Sequence, residues 1–183
     1  YVAQSRLVER LAEPRSDALV IWDVGLGAAH NAMAAVRCCE STAHSGRRPV
    51  RLVSFEHDDA SLRLALRNVD RFPHLQFDAP RQLLRSGEWR SPRVPLVWTL
   101  LAGDFRARLG DAPPPDCIFY DPFSYKTDVA MWTLACFERI FSAAGAHDTE
   151  MFTYSSSTAV RAALLAAGFV VARGAPTGAR TET

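Results

Sequence analysis

The sequence predicts an α/β fold: a doubly wound, mostly parallel sheet with helices on both faces. Short apolar runs alternate with longer segments of helical periodicity along the whole chain, which is the pattern of βαβ units. The runs are continuously apolar, as in Leu19-Val-Ile-Trp22, so both faces of each strand are covered. Several runs end on Gly or an acid, where a parallel strand hands over to a loop and helix.

The elements follow in order. Val2, Leu7, Val8 and Leu11 stand at helical spacing over Tyr1–Glu13, and Pro14 stops that helix. A first strand spans Ala18–Val24, followed by Gly25-Leu-Gly27 and an alanine-rich helix over Ala28–Glu40. A second strand spans Val50–Glu56, and a helix over Asp59–Val69 takes Asp59 as its N-cap. Pro80–Ser86 reads as a short helix before a polar, proline-containing stretch. The third strand, Val94–Ala102, closes on Gly103-Asp104. After the Pro113–Pro115 turn comes a fourth strand, Cys117–Tyr120, closed by Asp121-Pro122. Asp128–Ala144 reads as one strong helix, Met151–Tyr154 as a fifth strand, and Thr158–Ala167 as a helix with Gly168 at its C-terminal end. Phe169–Ala172 is expected as a sixth strand, with an antiparallel seventh beginning near Arg180.

Composition narrows the function classes. A chain of 183 residues, 48% hydrophobic and 22% charged, reads as one globular domain over residues 1–183. It starts at Tyr1 and ends in a polar tail, so it reads as part of a longer protein. No long apolar run suggests a membrane span and no secretory leader is visible, so a cytoplasmic location without membrane partners is expected. Cys38, Cys39, Cys117 and Cys136 make no CxxC pair and read as reduced thiols. The five histidines show no metal-ligand spacing, so no metal is expected. A net charge of +1 argues against nucleic-acid binding over the whole surface. Residues 61–93 nevertheless hold seven arginines against three acids, which fits either a solvated helix face or an RNA patch. Lys126 is the single lysine in a chain with twenty arginines.

In such sheets ligands bind beyond the carboxyl ends of the strands. Four of those ends carry an acid here: Asp23, Glu56, Asp104 and Asp121. Gly25 and Gly27 let the backbone approach a ligand closely, but position 30 is His where a dinucleotide fingerprint has its third glycine. Asp23 suits an amino group better than a pyrophosphate. Glu56 can accept both ribose hydroxyls, and Asp104 can accept an adenine amino group or cap a helix from Phe105. Together they describe a site for an adenosine with a cationic tail and no phosphates, which is S-adenosylmethionine. Trp22, Trp98 and Trp132 are expected in the core.

These residues resemble the methyltransferase domain of the MnmC type, with a class I, Rossmann-like methyltransferase fold. Asp23-Val-Gly-Leu-Gly-Ala-Ala-His-Asn31 is similar to that family's nucleotide loop. Ser54-Phe-Glu56 and Ala102-Gly-Asp104 resemble its second and third strand ends. Asp121-Pro-Phe-Ser-Tyr-Lys-Thr-Asp-Val-Ala-Met-Trp-Thr133 is similar to the segment after its fourth strand. Phe152-Thr-Tyr-Ser and Ala167-Gly-Phe169 fit its tail. Two departures stand out: Pro122 replaces a glycine, and the proline before Lys126 is missing.

The resemblance implies a cofactor, S-adenosylmethionine, held by Asp23, Gly25, Gly27, Asn31, Glu56, His57, Asp104, Phe105 and Asp121. It implies methylation of the amine of a 5-aminomethyl-uridine at the tRNA wobble position, with a separate flavin-dependent oxidoreductase acting upstream. Asp121 would orient the amine and take its proton, and Phe123 or Tyr125 would pack the acceptor base. Lys126 would meet an RNA phosphate or pair with Asp121. The competing readings are an enzyme of the same sheet using another acceptor or NAD, and a non-catalytic RNA- or partner-binding module.

Overall fold

The computed structural model describes residues 1–42, 48–124, 126–145, 148–172 and 174. Among them six strands form one sheet: β1 (Leu19–Val24), β2 (Val50–Glu56), β3 (Glu88–Arg90), β4 (Leu96–Ala102), β5 (Cys117–Tyr120) and β6 (Glu150–Thr153). The spatial order is β3-β4-β2-β1-β5-β6. The chain winds outward from β1 through β2 to β4, then returns to the other side of β1 for β5 and β6. All pairings are parallel except β3–β4. The order reverses between β1 and β5, so the crevice that such a reversal opens lies above their carboxyl ends.

Among the described residues seven α-helices cover the sheet: α1 (Leu7–Ala12), α2 (His30–Ser41), α3 (Ala60–Arg67), α4 (Ala79–Ser86), α5 (Phe105–Arg108), α6 (Leu134–Ala144) and α7 (Thr158–Ala166). Strand alternation assigns each buried side chain to one of two cores. Leu19, Ile21, Leu52, Trp98 and Phe119 pack under α1 to α4. Val20, Trp22, Phe55, Ile118 and Tyr120 pack under α5 to α7. This double coverage is why the strands read as mostly apolar runs.

Several sequence expectations need correction. The first helix is confined to Leu7–Ala12, because Arg6 takes a left-handed conformation at φ 49°. The expected Asp128–Ala144 helix is two pieces. A 3₁₀ turn spans Val129–Trp132, and Thr133 then restarts the chain as an N-cap whose hydroxyl accepts from the Cys136 N–H. The polar stretch after α4 contains a strand, β3, that pairs antiparallel with β4. Asp59 precedes α3, but its carboxylate forks onto Arg63 rather than capping the helix. Phe169–Ala172 forms no strand: Phe169 packs edge-on against Phe141, while Val170 is 96% exposed, which a covered strand does not allow. The strand expected near Arg180 lies outside the described residues. Trp22 and Trp98 are fully buried and Trp132 is half-buried. Cys38, Cys39, Cys117 and Cys136 form no disulfide among the described residues.

The amino end of the sheet is closed by ion pairs. Arg48, buried just before β2, donates to the Asp17 carbonyl at 3.0 Å and to the Asp17 carboxylate at 3.1 Å. It also faces Glu13 at 3.4 Å and Asp116 at 3.6 Å. Arg10 pairs with Glu150 at the start of β6.

Candidate active site

The carboxyl ends of β1, β2, β4 and β5 surround a cavity of about 560 Å³. Glu56, Asp58, Asp104, Asp121 and Asp128 line it, with Arg106 as the single arginine among its lining residues. Apolar wall comes from Phe55, Phe105, Phe123 and Met131. Phe105 is buried and packs edge-on against Phe55 at 4.9 Å between centroids.

The glycine loop after β1 has two distinct requirements. Gly25 has φ +88°, and a Cβ there would stand 2.5 Å from the Asp121 carbonyl oxygen. This glycine lets the β1 and β5 loops touch, so it fixes where Asp121 sits. Gly27 has φ +51°, and a Cβ there would meet nothing within 4 Å. Its backbone is open to a ligand, and its N–H donates to Glu56 Oε2 at 2.8 Å. Ala29 follows, fully buried and left-handed at φ 59°, a strained turn into α2.

The Ser-x-Glu end of β2 acquires a physical meaning. Ser54 lies opposite Asp23 in the β1–β2 register and donates to its Oδ2 at 2.7 Å. Trp98 Nε1 donates to Ser54 Oγ at 2.8 Å. Two residues on, Glu56 accepts from Gly27 N–H and from Asp58 N–H at 3.1 Å. Asp23 is buried and its Oδ1 has no hydrogen-bond partner among the described residues. Burial pushes the Asp23 carboxyl up to about 7 against the Ser54 hydrogen bond, with Asp121 and Glu56 adding repulsion. An unpartnered buried carboxyl oxygen costs stability and suits a cationic or donor group nearby.

Asp121 is half-buried. Asn31, in the first turn of α2, donates from Nδ2 to Asp121 Oδ2 at 3.1 Å. Burial raises the Asp121 pKa, and the Asn31 hydrogen bond partly offsets it. Asp121 therefore keeps a carboxyl that is more basic than a solvated aspartate.

Asp104 realises the capping role. Its Oδ1 accepts from Arg106 N–H at 2.9 Å and its carboxylate forks onto the Arg106 guanidinium, which holds its pKa down. Phe123 is 68% exposed, with its carbonyl held by Trp132 Nε1 at 2.8 Å. Its ring is thus available above a fixed backbone. His57 is exposed on the cavity rim.

Lys126 is exposed in a turn and forms no ion pair among the described residues; Asp121 bonds Asn31 instead. Tyr125 lies outside the described residues.

Sequence reasoning missed Asp58, Arg106, Asp128 and Met131 as lining residues. Asp128 and Met131 fell inside an apparent helix. The break at Thr133, a hydroxyl residue before an apolar helical run, was the available signal. Among the described residues no group of three or more His, Cys, Asp or Glu side chains could hold a metal. None of their helices is long and apolar enough to cross a membrane.

The sheet order, the glycine loop and the acids at the strand ends define a Rossmann-like methyltransferase. A family model for S-adenosyl-L-methionine-dependent methyltransferases matches residues 86–183, and the chain belongs to that family. S-adenosylmethionine is therefore its cofactor. The structure is similar to that of MnmC2 from Aquifex aeolicus, with a TM-score of 0.72 and 26% identity. That match covers 100% of this chain and 56% of the Aquifex protein, so this chain spans little more than half the length of that relative. Precorrin 8W decarboxylase from Methanobacterium thermoautotrophicum matches at TM-score 0.46 and 17% identity, over 92% of this chain and 73% of that one. TrmN from Thermus thermophilus matches at 0.41 and 14%, over 78% and 33%. No curated protein matches the chain.

The residues present fit this cofactor. Five lining carboxylates against one arginine favour a ligand bearing a sulfonium and an ammonium and repel a pyrophosphate. The open backbone at Gly27 and the aromatic floor suit a nucleoside.

Proposed function

We propose that this chain N-methylates the exocyclic amine of a 5-aminomethyl-uridine at the tRNA wobble position. The observation that carries the reading is Asp121: a half-buried carboxylate of raised pKa, oriented by Asn31, on a cavity rimmed by the exposed Phe123 ring.

S-adenosylmethionine, when bound, supplies a methyl group made electrophilic by its sulfonium. Glu56 has lone pairs beyond its two backbone bonds for the ribose hydroxyls. Asp104, Phe105 and His57 would hold the adenine, and Asp23 with the Gly25–Gly27 loop and Asn31 would hold the methionine end.

An ammonium has no lone pair to attack with, so the acceptor amine must be neutral. Asp121 accepts an N–H of that amine, aims its lone pair and takes the proton released as the C–N bond forms and the methyl–sulfur bond breaks to leave a neutral thioether. Its raised pKa suits it to this proton transfer. Phe123 packs the uracil ring, and Lys126 meets a phosphate of the same RNA. Residues 1–183 would act as one methyltransferase domain in the cytoplasm, with a separate flavin-dependent oxidoreductase supplying the amine.

Mass spectrometry of wobble nucleosides from a strain lacking this protein tests the reading. Accumulation of the unmethylated 5-aminomethyl form is the expected result. An unchanged nucleoside profile overturns the tRNA assignment.

A further inference from the structure

A polyanionic acceptor faces a difficulty here, because the cavity it must enter is lined by five carboxylates. Phosphates need a foothold elsewhere. Most described arginines are spent on carboxylates: ten of them form ion pairs. Four arginines bordering residues 66–81 do not. Arg67, the last residue of α3, and Arg71, in the turn that follows, are exposed with no side-chain partner among the described residues. Arg37 donates only to the Pro73 carbonyl and Arg81 only to the Leu66 carbonyl, each at 3.4 Å. The acids in this stretch are Asp70 and Asp78, and Asp78 is matched by Arg85 at 3.6 Å.

Aromatic rings interleave with these cations. The His30 and His74 ring centroids lie 3.9 Å apart with their planes tilted by 35°, and Phe72 is about equally distant from both, at 6.1 and 6.0 Å. The Arg37 guanidinium lies 4.9 Å over the exposed Phe77 ring. The surface is contiguous with the active site. His74 Nε2 lies 2.8 Å from the Ala28 carbonyl in the nucleotide loop. His30 adjoins Asn31, which holds Asp121. Guanidinium groups for phosphates beside exposed rings for bases make the chemistry of single-stranded RNA recognition.

We propose that the surface formed by Arg37, Arg67, Arg71, Phe72, Phe77 and Arg81 docks the unpaired loop of an RNA acceptor. It holds the loop phosphates so that one base reaches the acid-lined cavity. This rests on the reading of the acceptor as RNA.

The test uses the full chain, a labelled anticodon stem-loop RNA and a salt series. The double variant Arg67→Glu/Arg71→Glu is compared with the parent and with Arg15→Glu, a reversal before β1 at the opposite end of the sheet. The double variant is expected to bind the RNA on the order of tenfold more weakly, with a salt slope reduced by about 1.5 for two lost phosphate contacts. Arg15→Glu should bind as the parent does. Calorimetric affinity for S-adenosylmethionine should be parental in all three proteins, which reports an intact fold. If the parent binds the RNA and the double variant binds it equally well, the surface is refuted and the methyl-transfer reading stands. If the parent does not bind the RNA, the surface is refuted as well. Methyl transfer to a 5-aminomethyl-uridine stem-loop is assayed separately: charge-dependent binding without transfer would keep the surface and overturn the wobble-amine reading.

Discussion

Two cavities of nearly equal volume, about 540 and 560 Å³, lie at opposite ends of the same sheet. Both are rich in acids that stand just before or just after strands. At the amino end four arginines, Arg6, Arg10, Arg15 and Arg48, share the wall with five acids, Glu9, Glu13, Asp116, Asp148 and Glu150. At the carboxyl end five carboxylates share one arginine, and Asp23 keeps a buried oxygen unpartnered. Volume therefore does not distinguish the two. Charge balance does. The amino end is nearly balanced and stabilises the fold; the carboxyl end carries an uncompensated negative field that a cationic ligand can complete.

The comparison can be broken first at Asp121. Asp121→Asn keeps an acceptor for Asn31 but removes the base, so turnover should fall on the order of 10³-fold while S-adenosylmethionine affinity and melting temperature stay near parental. Single-turnover assays with calorimetry check this; parental turnover would remove Asp121 from the chemistry. The mirror experiment is Arg48→Ala. It leaves Asp17, Glu13 and Asp116 without their shared buried cation and should cost about 3 kcal/mol or more in chemical denaturation, with cofactor affinity of the folded protein unchanged. A variant that melts like the parent would show that the amino-end network is not structural.

A smaller effect should appear in pH dependence. Folded Asp23 holds its proton up to about pH 7, whereas the unfolded chain releases it near pH 4, the ordinary value. The folded state binds more protons across that window, so stability falls as pH rises through it and levels off above. Asp23→Asn cannot ionise and should flatten this part of the slope. Melting temperatures across the window, for parent and variant, decide it; parallel curves would mean that Asp23 titrates normally. The smallest effect is expected at Lys126. It is exposed without an ion pair, so Lys126→Arg should change cofactor affinity less than about twofold. A larger loss in titration would tie that loop to the cofactor side of the cavity.

Much of this was legible in the residues. Apolar runs located five of the six strands, because strands covered on both faces carry few polar interruptions. The acids Asp23, Glu56, Asp104 and Asp121 were legible as one set, because parallel strands bring their carboxyl ends to one side whatever their order. The short strand β3 was not legible. Three residues, Glu88-Trp-Arg90, hold too little periodicity, and only pairing with β4 makes them a strand. The expected strand at Phe169 failed for the converse reason, since apolar residues alone supply no sheet neighbour.

The sequence by itself determined the alternating architecture, the glycine loop, the acidic strand ends and the methyltransferase resemblance. These rest on local pattern and residue chemistry. Only the tertiary structure decided what each acid does. Asp23 is buried behind Ser54, Glu56 holds Gly27, Asp104 is occupied by Arg106, and Asp121 is aimed by Asn31 ninety positions earlier. Burial and hydrogen-bond partners set a carboxyl's acidity and direction, and both depend on contacts between segments far apart in the chain.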